Sequence, residues 1–473
     1  MQSHFSAGKK VCVSVYQEMD REDVAAVAKE WEAAIAERRD ADVREQVSRY
    51  HIAEIAEIFE FISVEYEGRA FRLLTKEQAA ELFLTFDPER MERIISIVSD
   101  AELSRMLEEM YMDDTADIIE EMPAYVVKRI MRNSTAEDRA ALSVLLHYPK
   151  DSAGTIMTTE YVRFRPDHTV EEALAHIRRV AIDKETIYTS YVTDKERHLL
   201  GIVTAKRLLI SPLEMPLSEI MEDHVISVTT AEDKEAVAMK FDKYGFLSLP
   251  VVDAENRLVG IVTVDDAMEV LREAVEEDIA KMAGMTPAEA PYLKTSVRSL
   301  FLSRVPWLLL LMISATFSST ILNFFESALP AVLVLFVPML MDTGGNSGGQ
   351  ASVTLIRGLS LGEVTSRDIC RILYKELRVG LLCGFVVGCV AFGKVMLVDC
   401  LIMGNPAVTV FVAIAVALTM LVTVLMAKMI GCLLPLAANR MGLDPAVMAS
   451  PFVTTIVDAF ALLLYFVIAS SIL

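Results

Sequence analysis

The chain has 473 residues, room for two to four domains, and it is acidic (formal charge −21) although 53% of its residues are hydrophobic. Acid and grease are segregated: from Ser299 onward nine Lys or Arg stand against eight Asp or Glu, which leaves 36 against 58 in the first 298 residues. That split excludes a simple soluble enzyme, and so acidic a surface excludes general nucleic-acid binding, which needs positive charge against phosphate.

Residues 1–46 are charged, lack the apolar core of a signal peptide, and read as an N-terminal extension. Residues 47–150 carry short amphipathic runs, Ala79–Thr85, Met91–Val98, Glu102–Met110, Ala116–Glu121 and Val126–Met131. Phe86-Asp-Pro88, Met122-Pro123 and Asn133-Ser-Thr135 punctuate them, which predicts a small superhelical array. Asp113 and Asp117 are four apart in that array, project together, and repel unless a cation sits between them.

Residues 151–212 and 213–271 repeat one pattern. Gly201-Ile-Val-Thr204 recurs as Gly260-Ile-Val-Thr263, and Ile156-Met157 as Ile220-Met221. Each copy reads strand, helix, strand, strand, helix over about 60 residues. One helix leaves the second copy and runs from Asp265 to Gly284, into a connecting segment placed at 272–298, with Asp266, Glu269, Glu273, Glu276 and Glu277 at spacings of three and four. A solvated face and a cation-binding face are both open readings of that pattern.

Five stretches of residues 299–473 have the length and apolarity to cross a bilayer: Val305–Phe325, Ala328–Ile356, Val379–Val398, Ala407–Ala427 with an extension to Ala438, and Pro445–Leu473. Lys294, Arg298 and Arg304 precede the first, and Arg357, Arg367, Arg371, Lys375 and Arg378 fill the second loop, whereas Glu326-Ser327 carries no base. The positive-inside rule then puts the soluble half in the cytoplasm and Leu473 outside. Asp458 sits mid-span, where a charge costs ~2.5–3.5 kcal/mol. It is either a cation site on a permeation path, with Thr454 and Thr455 one turn before it, or a carboxylate that stays protonated or pairs with Lys428. Four glycines between Asp342 and Gln350 mean close helix packing or irregular backbone. Asp444 in Gly442-Leu-Asp-Pro445 reads as a helix cap. Cys12 is alone in the soluble half, and no C-x-x-C pair signals zinc or redox chemistry.

The two central copies resemble a pair of cystathionine-β-synthase (CBS) domains. The whole order, an acidic α-superhelical domain, an α/β CBS pair, an acidic connecting or plug helix and an all-α transmembrane domain of five helices, resembles the MgtE family of magnesium channels. Asp151-Ser-Ala-Gly154, Asp342-Thr-Gly-Gly-Asn346-Ser-Gly-Gly-Gln350, Gly442-Leu-Asp-Pro445 and Pro451-Phe-Val-Thr-Thr-Ile-Val-Asp458 carry the resemblance. It implies a homodimer in the inner membrane, with a pore on the two-fold axis in which Asp458 faces its twin around hydrated Mg2+. It further implies regulatory Mg2+ held in the cytosol by Asp113, Asp117, Glu235, Asp266 and Glu277, closing the gate when Mg2+ is high. Gly245 stands where relatives often carry an aspartate, and Ala274 lacks a carboxylate. The alternative is a divalent-cation transporter whose CBS pair is gated mainly by an adenine nucleotide such as ATP. P-loop, zinc-protease and serine-hydrolase motifs are missing, which argues against an enzyme.

Overall fold

Ten helices of eight to sixteen residues follow one another from Arg21 to Leu145 in the computed structural model, which describes residues 20–287, 292–293, 295–326 and 331–472. Cys12, Lys294, Ser327 and Leu473, named above, lie outside the described residues, as does the start of the second apolar stretch at Ala328. The chain divides into two units, Met1–Met268 and Glu269–Leu473.

Helices this short are marginal alone, so caps and packing make them. Thr75 with Gln78, Ser99 with Glu102, and Thr135 with Asp138 form reciprocal capping boxes, and Asp87 caps the helix that Pro88 opens. Each odd-numbered helix packs on the next: Arg21–Ala36 on Ile52–Phe61, then Lys76–Leu84, Asp100–Leu107 and Ala124–Asn133. Trp31 is fully buried, donates from Nε1 to Gln46 Oε1 at 2.7 Å, and meets Phe59 edge-on. The described part of the segment that the sequence set apart as an N-terminal extension, 1–46, therefore holds the first two helices of the array, Arg21–Ala36 and Asp40–Val47. Inside it Glu67 is 1% exposed, with Oε1 2.5 Å from Arg90 Nε and Oε2 3.5 Å from Arg93 Nε.

The repeat forms two three-stranded sheets of identical topology. Arg163–Phe164 pairs parallel with Thr189–Thr193, which pairs antiparallel with Leu199–Thr204; Val228–Thr229, Ser248–Val252 and Leu258–Thr263 repeat this. The copies exchange their openings, since Thr158 bridges to Ile261 and Glu222 to Ile202. This explains the recurring glycine. A Cβ on Gly201 would lie 2.8 Å from Glu222 O, and one on Gly260 2.8 Å from Thr158 O, so each glycine admits the other copy's backbone. Across the centre, the Tyr191 hydroxyl is 2.8 Å from Ser248 Oγ.

The helix Val264–Met282 is continuous. The boundary placed by sequence between 271 and 272 falls inside it, because no Gly or Pro interrupts the chain before Gly284.

The second unit is built on five long helices, Val297–Glu326, Val337–Ser360, Ile369–Lys394, Val410–Arg440 and Ser450–Ile472. Among the described residues, four stretches are long and apolar enough to cross a membrane: Val297–Phe325, Ser366–Ile402, Val410–Arg440 and Pro445–Ile472. Val337–Ser360 falls short because Asp342, Asn346 and Gln350 and four glycines lower its hydropathy. It is nevertheless one unbroken helix packed against Val410–Arg440 and Ser450–Ile472. Of the two readings of its glycines, close packing holds. A Cβ on Gly344 would meet Thr423 Cγ2 at 2.8 Å, and one on Gly348 would meet Val453 Cγ1 at 2.7 Å. Gly380, Gly384 and Gly388 likewise admit Leu425, Leu421 and Ala417.

Candidate metal sites

Two groups of carboxylates stand out, one in each unit. The first begins with Asp113 on the helix Met112–Glu121. Its side chain is buried at 8% exposure, and its Oδ1 has no hydrogen-bond partner. Burial first, then the charges of Asp114, Asp266 and Glu185, push its carboxyl up to about 9. Glu185 lies ahead of the strand Thr189–Thr193 with Oε2 buried and unpartnered. Burial, then Asp266, Asp265, Asp114 and Glu160, push it up to about 8. Asp117, one turn beyond Asp113, is pushed up to about 7 by burial, Asp114, Glu120 and Asp266. Asp117 is exposed by surface area, so solvent screening reduces what that shift is worth. Asp266 accepts a hydrogen bond from Thr263 Oγ1 at 2.5 Å, which fixes it in the first turn of the connecting helix.

Three elements thus aim acids at one place: a helix of the array, the loop before a strand of the first repeat, and the start of the connecting helix. The named charges acting on Asp113 are all negative. Carboxylates held so close must take up protons or share a cation. An oxygen-only donor set suits a hard ion such as Mg2+, which keeps several waters and accepts one or two carboxylates.

Asp113, Asp117 and Asp266 of the sequence reading come together here. Glu185 was missed, since a lone acid in a loop has no periodicity to reveal it. Glu235 sits exposed in the first turn of the helix Lys234–Tyr244, in the second repeat. Glu277 is eleven residues beyond Asp266 on one helix, about 16 Å along its axis, too far to share an ion with it. Glu277 pairs instead with Lys281, whose Nζ also reaches Asp444 Oδ2 at 2.5 Å. The other oxygen of Asp444 accepts from Ala446 N at 2.8 Å, the cap expected from sequence. Gly245 ends the helix Lys234–Tyr244 in the left-handed conformation (φ +67°), a local reason for glycine at that position. Asp194, Glu196 and His198 also converge within 4.8 Å, but Asp194 there accepts from the His198 backbone N at 2.8 Å and closes a hairpin turn.

The second group surrounds Asp458, half-buried on the helix Ser450–Ile472, with Oδ1 buried and without a partner. Lys428 does not neutralise it. That ammonium is 5% exposed and lies 4.0 Å from Glu376 Oε2 on another helix. The charge acting on Asp458 is that of Asp342. Thr455 Oγ1 donates to Pro451 O at 3.0 Å, leaving its lone pairs available to a hydrated ion.

Residues 337–468 match the profile of a family described as divalent cation transporters, MgtE. Residues 50–151 match the MgtE intracellular N domain, and 153–213 and 217–273 match CBS domains. The chain is 35% identical over 433 residues to a magnesium transporter MgtE of Thermus thermophilus, covering 90% of this chain and 94% of that one. It is 30% identical over 432 residues to a magnesium transporter MgtE of Bacillus subtilis, covering 91% and 94%. A solved structure, the soluble part of a magnesium transporter, is 28% identical, with a TM-score of 0.50 over 54% of this chain and 99% of that one.

Proposed function

The chain belongs to the MgtE family of divalent cation transporters, and we propose that it passes Mg2+ through the membrane beside Asp458 while its soluble unit senses Mg2+ and closes the path. One observation carries the reading: an acid in the middle of a membrane helix with a buried, unpartnered oxygen and no ion pair among the described residues. A hydrated divalent ion supplies the missing charge and leaves the helix its carboxylate–water contacts. A homodimer would place two such acids around one ion and double the pull on it. In this reading the soluble unit faces the cytoplasm and the molecule lies in the inner membrane; the Lys- and Arg-rich second loop supports that orientation.

Regulation follows from the acid cluster. With little Mg2+, Asp113, Glu185 and Asp266 repel and the three elements loosen. With Mg2+ bound, the same elements are drawn together and the connecting helix is held at Asp266. That helix runs unbroken to Lys281, where it grips Asp444 in the membrane unit, so restraint at one end is felt at the other. The closed state binds more Mg2+, and feedback is the differential affinity of two states.

The test is Mg2+ flux into liposomes by the full chain. Asp458→Asn, nearly isosteric but uncharged, is expected to reduce flux about 100-fold, the order expected where each ~1.4 kcal/mol of lost ion binding is tenfold. Flux within twofold of the unaltered chain would remove Asp458 from the path.

A further inference from the structure

The helix Val337–Ser360 turns two unlike faces outward and inward. Gly344, Gly345, Ser347, Gly348 and Gly349 are buried against neighbouring helices. Asp342, Asn346 and Gln350, at spacings of four, are exposed and form a polar stripe. Asn346 Nδ2 donates to Asp342 Oδ1 at 3.2 Å. Among the described residues no ion pair neutralises Asp342.

Lipid does not account for this stripe. A charge facing lipid costs ~2.5–3.5 kcal/mol, so the face must meet water or a second copy. Its position relative to Asp458 decides between them. A Cβ on Gly344 would meet Val457 and Ala461, and one on Gly348 would meet Val453 and Val457, so the two helices run antiparallel. Gly345, between Asp342 and Asn346, abuts Thr454 in the same way. Asn346 is therefore close to the level of Asp458, and Asp342 lies beyond it, away from the Ser450 end. The two carboxylates are near enough for one charge to act on the other.

We propose that Asp342 is a second pore carboxylate, a specificity-determining residue that captures a hydrated divalent cation next to Asp458 and disfavours monovalent ions. This rests on the assignment of Asp458 to the permeation path. Two negative charges in line attract a divalent ion twice as strongly as a monovalent one, whereas the neutral oxygens of Asn346 and Gln350 favour either. A carboxylate ~6 Å from the ion in water-like surroundings is worth about tenfold in divalent affinity.

The experiment measures Mg2+ flux against concentration, and Na+ flux with and without Mg2+, for the full chain in liposomes. The variants are Asp342→Asn, Asp342→Glu and Asp458→Asn, with Asp342→Ser read in the same way where the Asn variant does not insert. Asp342→Asn is expected to raise the half-saturating Mg2+ concentration about tenfold and to lower the Mg2+ to Na+ flux ratio about threefold, because the same carboxylate attracts Na+ half as strongly. Asp342→Glu, which keeps the charge, should recover most of both. A purely structural residue would lower the amount of active protein and leave the ratio unmoved. Half-saturation and ratio within twofold of the unaltered chain in Asp342→Asn, while Asp458→Asn is inactive, overturn the proposal and spare the pore assignment. Normal flux in both overturns the pore assignment as well.

Discussion

The acids of the soluble unit are crowded, and those of the membrane unit are few. Around Asp113 at least four carboxylates from three elements press on one another, and burial keeps water from screening them. Around Asp458 the one named neighbour of like charge is Asp342. A crowded site is graded, because each acid removed weakens ion binding and also relieves repulsion. A sparse site in a membrane is closer to all-or-none, because a single neighbouring acid cannot make up for the loss of Asp458. The first arrangement suits a sensor that responds to ion concentration, and the second suits a path that every ion must take.

The largest effect expected in the soluble unit comes from a charge unrelated to metal. Glu67 is buried with Arg90, itself nearly so, and losing it strands a guanidinium inside the helical array. Glu67→Ala should destabilise that unit by about 3 kcal/mol, read as a lower urea midpoint of the full chain by a probe on Trp31. Mg2+ flux at low internal Mg2+ should survive, since no pore element is touched. Loss of flux together with stability would show that the two units do not function separately.

Next in size is the metal-free cost of Asp113. Its proton affinity in the fold is raised to about 9 from 3.8, so the folded chain holds more protons than the unfolded one between those values. Stability from this group is therefore full below about pH 4 and falls as pH rises toward 9. In chelator at pH 8, Asp113→Asn should stabilise the fold by about 2 kcal/mol, read as a higher urea midpoint with a flatter pH dependence. In Mg2+ the sign reverses: protection from protease in the 145–155 and 272–297 segments should need about tenfold more Mg2+ than before. Glu185→Gln should act in the same direction. An Asp113→Asn chain as well protected by Mg2+ as the original would mean that the cluster is relieved by protons alone.

Much of this was legible in the sequence. The CBS-like repeat could be read from Gly201-Ile-Val-Thr204 and its copy, and Asp458 from its cost within an apolar run. What escaped depends on chain segments meeting in space. Glu185 joins Asp113 because a loop of the first repeat folds against a helix about seventy residues upstream, and neither stretch marks the meeting. Lys428 was a conceivable partner for Asp458 by apolar context, yet helix rotation turns it toward Glu376. The helix Val337–Ser360 reads as an apolar run with flaws, and the flaws are its function: glycines pack one face while Asp342, Asn346 and Gln350 keep the other polar.

The smallest effect bears on how dispensable any single acid of the crowded unit is. Gly245 closes the helix Lys234–Tyr244 at φ +67° and ψ 36°, and its N–H donates to Phe241 O at 2.8 Å. Nothing lies within 4 Å of a Cβ built there, so an added side chain meets no clash. The cost of Gly245→Asp is conformational, about 1 kcal/mol for leaving the region L-residues prefer, with a few tenths more from an anion at a helix C-terminus. Gly245→Asn should cost less than Gly245→Ala, because the short amide tolerates the left-handed conformation. All three should lower the urea midpoint with its slope unchanged. The new carboxylate of Gly245→Asp is exposed, so Mg2+ protection should shift by less than twofold, against the tenfold expected at Asp113. A shift as large as that of Asp113→Asn would mean that an exposed acid in the second repeat binds the ion as well as a buried one. Crowding and burial would then not be what makes the sensor.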